Sequence, residues 1–290
     1  MAKLADIFEL DEIQTLAFAG GGNRCWWQAG LMARMLEQGY VLPKNLVGTS
    51  GGAAMAAACM VDGPDRVLTA CRKVFDTCEH AFDWHRLREF RFGFPHIHLY
   101  AAWIHTFLHA GNFRRFQSHP SLLNVAVTRP VSGLGLPGSI AVGTLGWFVD
   151  ELLWHRLHSP LPRYLGLRLD FIPLNQCTDA STAHETLSAS AAALPWFPAI
   201  QLGASWGMDG GYVDNAAIPP QTRKQKNRTL ILLTRHYPGR PALFQHAFRW
   251  YWQPSAPVPV STWDCTRHAT IEAAFEQGYT DAQQMEWTFA

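Results

Sequence analysis

Ser50 stands at the centre of Gly48-Thr49-Ser50-Gly51-Gly52, a G-x-S-x-G pattern. Glycines on either side of a central serine suit a strand-to-helix turn tight enough to leave that residue strained and exposed, because side chains there would collide. The Ala-rich run Ala53 to Val61 reads as a helix whose first amides and positive dipole end point at the Ser50 oxygen, which favours an alkoxide-like nucleophile. A second cluster, Gly20-Gly21-Gly22, also joins a strand-like run to a helix-like one, so its backbone N–H groups are open to negative charge. A G-x-G-x-x-G count fails there, since Cys25 holds the last position, and no G-x-x-x-x-G-K-[ST] occurs. The better use of the loop is an oxyanion hole, amides near Gly21 and Gly22 surrounding the tetrahedral oxyanion formed at Ser50. One lost donor of that kind costs about 3–4 kcal/mol.

A serine nucleophile needs a base. Asp209 lies in MDGGYVDN, where Gly210 and Gly211 leave its carboxylate unobstructed; an ordinary loop or hairpin turn is the plainer reading of such a segment. Histidine is the other option. His236, His246 and His268 follow Asp209, so a Ser…Asp…His order is open. His105 and His109 have i, i+4 spacing, but with no HExxH glutamate and no third ligand they read as ordinary helix residues. Neither a metal site nor an organic cofactor is expected.

The elements that must position these residues follow from the apolar pattern. Ile13 to Phe18 is a strand, Arg24 to Gln38 a helix with Trp27, Leu31 and Met35 on one face and Gly39 as its stop. Leu46 and Val47 end a second strand before the turn at Ser50. Strand, loop, helix, strand, turn, helix argues for an α/β fold with a parallel sheet. Residues 65–116 read as mostly helical, Leu122 to Thr128 and Arg168 to Leu174 as strands, Ala183 to Ala193 as a small-residue helix, and Thr229 to Thr234 as a buried strand. Ile271, Ala274, Phe275, Gly278, Tyr279 and Ala282 form a helical stripe that should dock on the core. Between 130 and 167 no period is convincing.

Composition narrows the class. The 290 residues carry 24 Lys+Arg against 23 Asp+Glu, a net +1, with 48% hydrophobic and 16% charged residues. That suits a packed core and excludes a disordered chain, and it gives no electrostatic footprint for nucleic acid. Six cysteines without CxxC or zinc spacing read as reduced, buried thiols. The start MAKLADIFELDEIQ has acids where a signal peptide would be apolar, so a cytoplasmic, unprocessed protein is expected.

GGGNR at 20–24, GTSGG at 48–52, ASAAALPWFPAI at 189–200 and DGGYVDNAAIP at 209–219 occur in the order, and with the wording, that resemble the patatin-like phospholipase family. The resemblance covers roughly 10–65, 120–130 and 170–235, with the C-terminal helix near 264–284, and fades over 66–118 and 130–168. It implies a single domain over 1–290, a three-layer α/β sandwich on a mostly parallel sheet with helical or irregular insertions, and a Ser-Asp dyad in place of a triad. Ser50 would be the nucleophile and Asp209 the base, Gly20, Gly21 and Gly22 the oxyanion loop, and Gly48 and Gly52 the elbow. Arg24 would hold that loop or the phosphate side of a lipid. The expected activity is hydrolysis of fatty acyl esters of phospholipids or related lipids, without cofactor or calcium. The alternatives are a broad carboxylesterase or transacylase using the same dyad, or a weakly active membrane-binding module.

Twelve Trp, 17 Phe and 7 Tyr include residue types that favour membrane interfaces. Leu99 to Leu108 and the uncharged run 130–149 are candidates for an acyl-binding cap or for peripheral contact with a membrane, an aromatic core being the plain alternative. The 130–149 run has spanning length, but its five Gly and two Pro weaken a transmembrane helix. Arg86, Arg88, Arg91, Arg114 and Arg115 against Asp83 and Glu89 would suit an anionic surface or simply a solvated helix face.

Overall fold

The computed structural model describes residues 12–82, 93–149 and 156–285. Its opening follows the alternation of the sequence. β1 (Thr15–Phe18) passes through the glycine loop into α1 (Cys25–Glu37), and β2 (Asn45–Thr49) turns at Ser50 into α2 (Gly51–Val61). α3 (Pro64–Phe75), α4 (His96–Phe107) and the short α5 (Phe113–Gln117) precede β3 (Leu122–Arg129). Then come α6 (Gly135–Val149), the one-turn α7 (Leu161–Tyr164), β4 (Arg168–Pro173), α8 (Ala180–Ser190), β5 (Ile200–Leu202) and β6 (Ser205–Asp209). The remainder is α9 (Arg223–Asn227), β7 (Thr229–Leu232), β8 (Leu243–His246), β9 (Arg249–Trp252) and α10 (Ile271–Gln284).

The centre of the sheet is parallel, β3-β2-β1-β7-β9, and antiparallel strands close both margins: β4 and β6 on β3, β5 on β6, β8 on β9. This is the expected mostly parallel central sheet flanked by helices. Register explains how distant residues meet. Ala126 of β3 lies between Thr49 of β2 and Phe171 of β4, while the next residue, Val127, lies between Asp209 of β6 and Asp170 of β4. A strand has only two sides, so β2 and β6 share one side of β3 and run toward each other. Their C-terminal ends meet there.

Successive strand residues face opposite ways. Leu16, Phe18, Leu46, Val125 and Leu232 join the larger core with α1, α2 and α8, and Ala17, Val47, Ile231 and Tyr251 meet Leu157, Ala216 and Ile218 on the other face. α1 is buried almost all round, with Trp26 and Trp27 among its sealed side chains. It has no room for side chains where it crosses α10: a Cβ on Gly30 would lie 1.9 Å from the Phe275 carbonyl oxygen, and one on Gly278 1.9 Å from that of Trp27. Trp27 Nε1 donates to Asp281 Oδ2 at 2.7 Å, which fixes the register of the two helices.

Three regions differ from the sequence reading, among them the β5–β6 hairpin, for which no strands were expected. Residues 135–149, read as without period, form α6; its buried residues are Ser139, Gly143 and Gly146 while Leu145 and Phe148 are exposed. Among the described residues no helix is long and apolar enough to cross a membrane. The β8–β9 hairpin was not expected at all. The acidic start and the arginines at 86, 88 and 91 lie outside the described residues; Arg115, on α5, donates to the carbonyl of Val61.

Candidate active site

The elbow is strained as expected, but Ser50 is buried rather than exposed. Ser50 has φ 53° and ψ −131°, a conformation unfavourable for any residue with a Cβ. Close packing demands the flanking glycines: a Cβ on Gly48 would lie 2.3 Å from Ala53 Cα, and one on Gly52 2.5 Å from the carbonyl oxygens of Phe18 and Ala19. Ser50 Oγ donates to Asp209 Oδ2 at 2.8 Å, and both residues are about 95% buried, with 4% and 5% of their surface exposed. The other carboxylate oxygen, Oδ1, accepts the Gly211 amide at 2.7 Å. Burial raises the Asp209 pKa to about 6, against the lowering effect of those two hydrogen bonds.

The glycine loop lies beside this pair, and a correction concerns Gly20. Its amide donates to the carbonyl of Asn215 at 2.8 Å, so it is not a free oxyanion donor. Gly20 instead gives close approach, a Cβ there lying 3.2 Å from Ser50 Cβ. Among the described residues the amides of Gly21 and Gly22 have no hydrogen-bond partner. Arg24, one turn on, lines the same cavity as Ser50 and Asp209, and its Nε is buried without a partner. Burial lowers its pKa, and the positive charge of Arg235 lowers it further.

Four positioning contacts were not assigned from the sequence, although Ser190 and Asp214 lie in the stretches 189–200 and 209–219. Ser190, at the end of α8, accepts the Ser50 amide at 2.9 Å and donates to the Ala126 carbonyl at 2.7 Å, tying the elbow to β3. Gln28, fully buried on α1, donates to the carbonyls of Ala19 and Leu232. Thr234 Oγ1 donates to the Gly20 carbonyl at 2.5 Å. Asp214, in the same segment as Asp209, accepts from His158 at 2.8 Å, and the other ring nitrogen of His158 lies 2.8 Å from the Tyr251 hydroxyl. That chain fastens the 156–163 segment to β9.

The histidine alternatives are engaged elsewhere. His236 Nδ1 lies 2.8 Å from the Pro254 carbonyl, His246 packs on Tyr251, and His268 accepts from Arg267. The His105 ring contacts those of His109 and His184, but among the described residues no three His, Cys, Asp or Glu side chains are grouped to hold a metal.

Two cavities converge on Ser50. One is walled chiefly by apolar and aromatic side chains including Trp26, Met55, Phe75, Leu99, Trp103 and Phe197. The Leu99–Leu108 segment thus turns its apolar residues inward. The other reaches Asp209, Arg24 and the rim formed by Thr144 and Trp147 of α6.

Residues 16–220 match the family model described as patatin-like phospholipase. No curated protein matches the chain. Among solved structures, VipD from Legionella pneumophila is similar at 11% identity and a TM-score of 0.42, over 94% of this chain and 66% of that one. This chain therefore spans slightly less than two thirds of the VipD chain.

Proposed function

The chain belongs to the patatin-like phospholipase family, and from that premise we propose that it is a serine acyl hydrolase in which Ser50 and Asp209 act as a catalytic dyad. Family membership supports a lipid acyl hydrolase in general; the 2.8 Å contact between Ser50 Oγ and a buried carboxylate at a strained elbow carries the finer reading. Asp209 Oδ2 takes the Ser50 proton as Oγ attacks the ester carbonyl carbon. The oxyanion accepts from the Gly21 and Gly22 amides. As the C–O bond breaks, the leaving alkoxide takes the proton from Asp209, and the acyl group remains on Ser50. Water then gives a proton to Asp209 and attacks the acyl-enzyme, and Ser50 recovers its proton as the fatty acid departs.

The apolar cavity takes the acyl chain. Arg24, with a buried guanidinium nitrogen lacking a protein partner, suits the anionic phosphate side of a phospholipid. Contact with the bilayer is assigned to α6, which has no charge and exposes Leu145 (59%) and Phe148 (53%) close to the cavity rim at Trp147.

Incubation with a fluorescent fluorophosphonate, followed by peptide mapping, tests the dyad. The expected result is label on Ser50, lost in Ser50→Ala, with hydrolysis of phospholipid vesicles lost in both Ser50→Ala and Asp209→Asn. Label elsewhere, or turnover that survives Asp209→Asn and disappears with a histidine substitution, would overturn it.

A further inference from the structure

Asn23 stands between the glycine loop and α1, where an asparagine ordinarily caps the helix through its side-chain oxygen. α1 has no side-chain cap. The Asn23 side chain is turned instead to a segment far along the chain, residues 261–264. Its Nδ2 donates to the carbonyls of Ser261 at 3.1 Å and Asp264 at 2.5 Å, and its backbone N–H donates to that of Thr262 at 3.0 Å. Carbonyl oxygens only accept, so the side-chain nitrogen, with its two hydrogens, is the atom that faces them. Three carbonyls of one segment thus converge on one residue.

That segment lies directly on the oxyanion loop. A Cβ on Gly22 would be 2.4 Å from the Thr262 carbonyl oxygen, so loop and segment touch backbone to backbone. Other contacts hold the segment from behind. The Trp263 carbonyl accepts from His96 Nε2 at 2.7 Å, and the Trp263 ring stacks on that of Trp196, with centroids 4.3 Å apart and 5° between the planes. Thr262 and Trp263 border both cavities that meet at Ser50.

The Gly21 and Gly22 amides, having no partner of their own among the described residues, take their direction from what holds the loop. Thr234 holds it on one side, through the Gly20 carbonyl. We propose that Asn23 is the positioning residue on the other side: it clamps the 261–264 carbonyls onto the loop and so aims the Gly21 and Gly22 amides at the oxyanion. The proposal rests on the acyl hydrolase reading and deepens it, because the clamped segment lies outside the 16–220 stretch that matches the family. Without the Asn23 side chain the Ser261 and Asp264 carbonyls lose their donor and the loop loses its fixed neighbour. Displacing a group at a reacting centre by about 1 Å costs about 100-fold in rate.

The test measures kcat and KM on 4-nitrophenyl butyrate for the full chain, Asn23→Ala and Asn23→Asp, each counted per molecule that a fluorophosphonate labels to completion, so that unfolded protein drops out. Both variants should lose about 10- to 100-fold in kcat with KM changed by less than about threefold. The rate of labelling should fall with kcat while its final extent holds. Asn23→Asp should be the slower, because its carboxylate sets negative charge beside the carbonyls and the oxyanion. A kcat within about threefold of the unsubstituted chain, or a loss carried by KM alone, would overturn the proposal. If the unsubstituted chain neither hydrolyses the ester nor labels at Ser50, the acyl hydrolase reading is what fails. The clamp then stands on hydrogen exchange: Asn23→Ala should speed exchange about fivefold or more in peptides spanning 20–24 and 261–265 and leave those from β3 unchanged. Unaltered exchange in both segments would overturn it.

Discussion

Ser190 accepts the backbone N–H of Ser50 and donates to the carbonyl of Ala126, so one hydroxyl joins the elbow to the strand along which β2 and β6 meet. Ser190→Ala would leave a buried donor and a buried acceptor unpaired. It should cost about 1–3 kcal/mol in urea denaturation and lower kcat more than it raises KM, because Ser50 loses its anchor while both cavities keep their walls.

The strain at Ser50 gives a second prediction. Its φ of 53° is open to glycine without the Cβ penalty, so Ser50→Gly should be about 1 kcal/mol more stable than Ser50→Ala. Both should be inactive. Equal melting curves for the two variants would show that the elbow stores no strain.

The carboxylate of Asp209 predicts opposite trends for activity and stability. Burial raises its pKa from 3.8 to about 6, so the folded state binds this proton more tightly than the unfolded chain. Its contribution to stability is fully present below pH 3.8 and is lost as pH rises through about 6, a difference on the order of 3 kcal/mol. Only the ionised form serves as base, so kcat/KM should rise with pH around a midpoint near 6. Asp209→Asn should lose at least about 100-fold in kcat, and its stability relative to the unsubstituted chain should improve on going from pH 4 to about 8. Unfolding curves across that range check the sign.

Leu145→Glu and Phe148→Glu, on the exposed face of α6, should reduce binding to phospholipid vesicles and hydrolysis at the vesicle surface by about tenfold. Turnover of a short, monomeric ester should change by less than about twofold, since neither side chain supports the core. Parallel loss on both substrates would remove α6 as the lipid-facing element.

The residues that make the site were legible where chemistry imposes a local pattern, and hidden where contacts are long-range. Gly48, Ser50 and Gly52 must be adjacent in sequence because they share one turn. Gln28 and Thr234 serve by reaching other elements, and nothing in their own neighbourhoods announces it; Ser190 lies in the 189–200 stretch, but its partners on β3 and at the elbow are far away in sequence. α6 escaped because its pattern is inverted: Ser139, Gly143 and Gly146 face inward, with Gly143 against Tyr212 and Gly146 against Pro162, while larger apolar residues face out. The β8–β9 hairpin escaped because its two-residue turn, Ala247 and Phe248, adopts positive φ of 48° and 68° without the Asn or Gly that signals such turns.

The backbone-close crossing of α1 and α10 has a consequence for the order of events during synthesis. Trp27 and Asp281, which pair across it, are 254 residues apart. As the chain is made from its N-terminus, α1 therefore emerges early, with an apolar side uncovered until α10 arrives.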